Sequence, residues 1–154
     1  MNVDIQIVTD ANGVPPVGKI QRWVAAAVAA KAADPAAVVS VRVVDEDEMQ
    51  TLNRNYRDQD KPTNVLSFPA GDVQGLPADT DTSLGDIVVC AAVVAREARE
   101  QGKTLDDHWG HMLVHGVLHL LGHNHMTDSE ADEMEGFERE ILAGLGIANP
   151  YEGN

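Results

Sequence analysis

Cysteine is almost missing from this sequence of 154 residues, basic side chains are scarce, and no long apolar run occurs. The single cysteine, Cys90, cannot form an internal disulfide, and its place in an apolar segment reads as a buried, unreactive thiol. Eleven Lys and Arg stand against 25 Asp and Glu, a formal charge of −14, which argues against gripping nucleic acid through a broad basic face. Any anionic partner has to be held locally, and DNA is not expected. The most apolar stretch, WVAAAVAAKAA from Trp23, is too short and too interrupted to span a bilayer. The opening MNVDIQIVTD has neither a basic flank nor an apolar run, so the expectation is no signal peptide and a cytoplasmic location. Internal repeats, low-complexity tracts and long linkers are missing too. That leaves one domain, 1–154, of ordinary globular composition, 44% hydrophobic and 23% charged.

What is present alternates between two periods. Val3, Ile5 and Ile7 are separated by Asp4 and Gln6, the period of a half-buried strand. Residues 19–33 carry Ile20, Trp23, Val24 and Val28 at helical spacing, ending before Asp34-Pro35. A β-branched strand is expected over 37–44, then an acid-headed helix over 45–57 with Met49, Leu52 and Tyr56 on one side. Residues 64–68, before Pro69, read as a short strand and 71–84 as a loop rich in Gly, Asp and Thr. Gly85-Asp86 introduces a fourth strand over 87–90, followed by a helix over 91–101 stopped by Gly102. Thr104 with Asp107 opens a long helix over 105–121, and 128–143 reads as an acidic amphipathic helix closing at Gly144, with Met134, Phe137, Ile141 and Leu142 inward and a solvated outer face. Interleaved strands and helices define an α/β class, although strand order does not follow from the pattern.

The chemistry concentrates in HGVLHLLGHNH, residues 115–125. His115 and His119 lie four apart, so a helix stacks them on one face where two imidazoles can share an ion. Gly122 stands where a left-handed cap lets the chain reverse and return His125 as a third ligand. Three histidines leave one position of a tetrahedral zinc open for water, the arrangement of a catalytic site. A nitrogen-only set suits zinc first and accommodates nickel or copper as well. His108, His111 and His123 compete for the role. Yet ligation by His111, His115 and His119 together would need three successive turns to converge, although the helical rise separates the outer pair by about 12 Å. The spacing matches that of zinc peptidases, but those keep a glutamate after the first histidine as general base, and Gly116 stands here instead.

Together with NRNYRDQDKPTNVLSFP from Asn53, GDIVVC from Gly85, HWGHMLVHGVLHLLGHNH from His108 and the acidic helix from Asp128, the histidine segment resembles the YbeY family of bacterial endoribonucleases. The resemblance runs in order through nearly the whole chain. It implies a small mixed sheet, here of four strands, flanked by helices around a zincin-like three-histidine site, with one zinc on His115, His119 and His125. It also implies a role in ribosomal RNA maturation and ribosome quality control, with ribosomal RNA and ribosomal proteins or ribosome-associated factors as partners and a monomeric chain. The family's functional arginine falls on Arg57, with Lys61 in the same motif, and Asn124 departs from the family's aspartate before the last ligand.

The residues agree in part, since Arg54, Arg57 and Lys61 gather three of only eleven basic side chains within eight positions. An arginine holds phosphate through paired hydrogen bonds, while a metal acidifies water. The plainer alternative makes Arg57 a helix-end cation offsetting Asp58 and Asp60. Asp86 could orient a ligand imidazole or merely form a turn. The expected activity is therefore a single-strand-specific, metal-dependent endoribonuclease. A metallopeptidase and a non-catalytic, zinc-stapled ribosome assembly factor are the alternatives.

Overall fold

The computed structural model describes residues 2–9, 13–31, 38–69, 83–123 and 127–150. Along the chain run β1 (Asn2–Ile7), α1 (Val17–Lys31), β2 (Val38–Val44), α2 (Glu46–Arg57), β3 (Val65–Pro69), β4 (Ser83–Cys90), α3 (Ala91–Gln101), α4 (Leu105–Leu120) and α5 (Asp128–Gly144). The four strands form one mixed sheet in the order β1-β2-β4-β3. β1, β2 and β4 are parallel, and β3 is added antiparallel to β4 with Ser67 opposite Ile87 and Phe68 opposite Asp86.

Strand alternation decides which face each side chain serves. Val39, Val41, Val43, Ile87 and Val89 point one way and are buried with Ile20 and Val24 of α1 and with Trp109, Leu113 and Val117 of α4. On the opposite face Leu66, Val88 and Cys90 pack with Met49 of α2 in a smaller cluster. Cys90 is fully buried, and desolvation pushes its thiol up from the ordinary cysteine value, so it stays protonated. No helix among the described residues is long and apolar enough to cross a membrane.

The helix ends obey local chemistry. Asp45 caps α2 by accepting from the Glu48 amide at 3.4 Å, three acids fill its first turn, and Arg54 and Arg57 fill its last, which matches charge to the helix dipole at both ends. Thr104 caps α4 through the Asp107 amide at 3.1 Å, and Thr127 caps α5 through Glu130 at the same distance. α5 ends at Gly144 as expected, and the left-handed position falls two residues beyond, on Gly146 (φ 79°), whose turn carries Ile147 back over Gly110 of α4. β4 starts earlier than expected, at Ser83, because its first residues pair with β2.

Candidate metal centre and phosphate cleft

α4 is buried on nearly every side, and at Gly116 it lies tightly against the sheet. A Cβ there would sit 3.1 Å from Ile87 Cγ2 and 3.3 Å from Ser67 Oγ, and the Ser67 hydroxyl donates to the Gly116 carbonyl at 2.9 Å. The position where a peptidase carries its glutamate therefore faces the core. His115 and His119, by contrast, open onto a cleft of about 380 Å³ between α4, β3 and the end of α2.

Within this cleft the Nε2 atoms of His115 and His119 stand 3.0 Å apart, their rings nearly perpendicular. Two nitrogens this close suit a shared proton or a shared cation. The turn beyond is the expected one. Gly122 has φ 95°, its amide donates to the His119 carbonyl at 3.1 Å, and the His123 amide donates to the Leu118 carbonyl at 3.0 Å. This paired pattern of a left-handed helix end satisfies carbonyls that α4 would otherwise leave open. His125 and Asn124 lie outside the described residues. His123 packs on Phe137 with ring centroids 5.0 Å apart, and its Nδ1 is 3.7 Å from Glu133.

Arg57 and Lys61 line the same cleft as the two histidines. The loop that presents Lys61 is tied to α2. Asp58 adopts a left-handed conformation (φ 57°), the Gln59 amide donates to the Asn53 carbonyl, and the buried Asn53 side chain donates to the Lys61 carbonyl at 2.8 Å. Asp60 lies near Arg54 (3.7 Å) and accepts from Gln50 (3.0 Å). The basic cluster of the sequence thus divides, with Arg54 near an acid and the other two cations lining the cleft of the histidines.

Two features escaped the sequence reading. Glu138, on the apolar side of α5, has no exposed surface, and its carboxylate meets His111 Nε2 through Oε2 and His115 Nδ1 through Oε1, each at 2.8 Å. The donor atoms of His111, His115 and Glu138 all lie within 4.8 Å of one another, a group that could hold a metal ion. The face of α5 read as a simple apolar stripe therefore carries a buried acid. Its signal was the spacing, since Glu138 falls four after Met134 and three and four before Ile141 and Leu142. Burial pushes the His111 imidazole below the ordinary histidine value, against the pull of Glu138 in the other direction.

The second feature lies one turn earlier on α4. His108 Nε2 contacts Glu97 at 2.9 Å, and Asn64 donates to both oxygens of that carboxylate at 3.1 and 3.2 Å. Burial pushes the Glu97 carboxyl up, but these hydrogen bonds outweigh it and hold the group below the usual glutamate value. This network clamps Asn64, a lining residue of the cleft, to α3 and α4. Asp86, considered above as a partner for a ligand imidazole, has no such place. It is exposed on the opposite sheet face, in a separate groove of about 720 Å³ with Arg42, Glu48 and Tyr56. Its odd-numbered neighbour Ile87 is the residue that faces α4.

Comparison with known proteins finds relatives along nearly the whole chain. The family described as Endoribonuclease YbeY matches residues 13–146. The Endoribonuclease YbeY of Alkalilimnicola ehrlichii is 53% identical over 152 residues, covering 98% of this chain and 91% of that one. That of Halorhodospira halophila is 61% identical over 114 residues, 74% of each, and that of Stenotrophomonas maltophilia strain R551-3 is 52% identical over 99% of this chain and 94% of its own. The solution structure of TM1509 from Thermotoga maritima superposes with a TM-score of 0.56 at 28% identity, covering 92% and 91% of the two chains.

Proposed function

Because the chain belongs to the YbeY family of endoribonucleases, we propose that residues 1–154 form one metal-dependent endoribonuclease domain that hydrolyses single-stranded RNA in the maturation and quality control of the small ribosomal subunit. The observation that carries this reading is the cleft itself, which sets Arg57 and Lys61 opposite His115 and His119. Neither half alone suggests phosphodiester chemistry, but cations facing a nitrogen-rich metal centre do.

The residues fit a zinc ion by the chemistry of their donors. His115 and His119 would hold it through the paired Nε2 atoms, with His125 as the third ligand. When bound, zinc supplies a Lewis acid that lowers the pKa of water and offsets charge developing on phosphate. Arg57 is exposed at the rim with no acid within salt-bridge distance among the described residues. Its planar guanidinium can take two phosphate oxygens at once and orient the scissile phosphate, while Lys61 adds a point charge beside it. The buried Asn53 ties the backbone at Lys61 to α2, whose last residue is Arg57. Gly116 denies the site a carboxylate base on α4, which disfavours the peptidase reading and leaves proton transfer to other groups in the cleft.

The test compares cleavage of defined single-stranded and duplex ribosomal RNA fragments by wild type, Arg57→Glu and His119→Ala, each checked for folding and metal content. The expected result is cleavage of the single strand by wild type, and a loss of at least about 100-fold in both variants, the scale of removing one charge-stabilising group. Equal residual cleavage in all three would identify a contaminant and end the enzyme reading.

A further inference from the structure

We propose that Glu138 is a positioning residue that sets the tautomer of His115 and thereby aims Nε2 of that ring at the metal. The inference rests on the reading of His115 and His119 as ligands and adds the residue that prepares them. With Glu138 ionised, its carboxylate has no proton to give, so each of its two imidazole contacts is donated by the ring. In that state His115 carries its proton on Nδ1, facing Glu138 Oε1 at 2.8 Å. A neutral ring protonated on Nδ1 has its lone pair on Nε2, and that atom is the one 3.0 Å from His119 Nε2. One hydrogen bond on α5 thus determines which nitrogen on α4 is available to a cation.

The second contact makes the arrangement rigid. His111 Nε2 donates to Glu138 Oε2 at 2.8 Å, so the carboxylate is held by both oxygens and cannot rotate away from His115. His111 sits four residues before His115 on the same face of α4, which is why one buried acid can reach both. This also explains a histidine that the helical rise excludes from joining His119 around one ion. His111 anchors the acid, the acid orients His115, and His115 meets the metal. A carboxylate beyond a ligating imidazole raises the ligand's basicity as well as fixing its direction. Its complete burial is tolerable because both oxygens are hydrogen-bonded.

Two readouts test this. Long-range proton–nitrogen NMR correlations on metal-free wild type report which ring nitrogen of His115 bears hydrogen, and competition titration with zinc compares wild type with Glu138→Gln. The expected results are an Nδ1–H tautomer for His115, and zinc bound about 10- to 100-fold more weakly by the variant at unchanged stoichiometry. An Nε2–H tautomer in wild type overturns the proposal even if the variant fails to fold. Unchanged zinc affinity in a folded Glu138→Gln overturns it as well, and complete loss of zinc from that folded variant would make Glu138 a ligand instead. If wild type itself binds no zinc, the ligand assignment fails, a result separate from any effect of the variant.

Discussion

Single residues decide what the histidine helix can do, and Gly116 is the clearest case. Alanine is the better helix former by about 1 kcal/mol, but overpacking a filled core costs about 1–3 kcal/mol. Here the added methyl would press on Ile87, which has no exposed surface and cannot move aside cheaply. Packing wins, and Gly116→Ala is expected to lower stability by about 1 kcal/mol in urea unfolding, a shift in Tm of about 2–4 °C for a chain of this size. Gly116→Glu, which would restore the peptidase pattern, is expected to unfold the protein and to yield no peptide cleavage. The sequence shows the missing glutamate but not the reason for it, because the reason is a contact between α4 and a strand some thirty residues earlier. Glu138 was hidden for a related cause. An acid within an apolar stripe looks like an interruption until its two imidazole partners, 27 and 23 residues away, are seen beside it.

Elements were far more legible than their pairing. Every strand and helix among the described residues follows one of the two periods, and Asp45 and Thr104 mark helix starts and Gly102 a stop by local hydrogen bonding alone. Strand order depends on neighbours distant in sequence. β4 lies between β2 and β3 although about forty residues separate it from β2, and no local pattern encodes that. The end of α4 is the element on which the metal centre most depends. Gly122 has open space around its Cβ position, so only its backbone conformation opposes a side chain. Gly122→Ala is expected to cost about 1–2 kcal/mol, the penalty of a left-handed residue with a Cβ, and Gly122→Asn less. Chemical denaturation of the metal-free proteins measures this directly. A zinc affinity that falls in the same order would tie the turn to the return of His125, whose identity as a ligand rests on spacing.

For the whole molecule, the charge of −14 sets the terms of RNA binding. A net charge of this sign opposes a phosphate chain in general, and the cleft offers Arg57 and Lys61 as local cations. Two neutralised phosphates predict a slope of log K against log salt of about −1.4 for single strands, far shallower than that of a basic RNA-binding protein, and Arg57→Gln should remove about half of it. A filter-binding or anisotropy titration across salt concentrations gives the slope. The central claim is that the histidine centre and Arg57 act on one phosphate in one cleft. The most direct test is a double-mutant cycle in single-turnover cleavage of a single-stranded ribosomal RNA fragment, using His119→Ala, Arg57→Gln and their combination. Groups that act as a unit give a double mutant no slower than the worse single variant. That is the predicted result, and losses that multiply in full would contradict it by placing the two residues in independent roles.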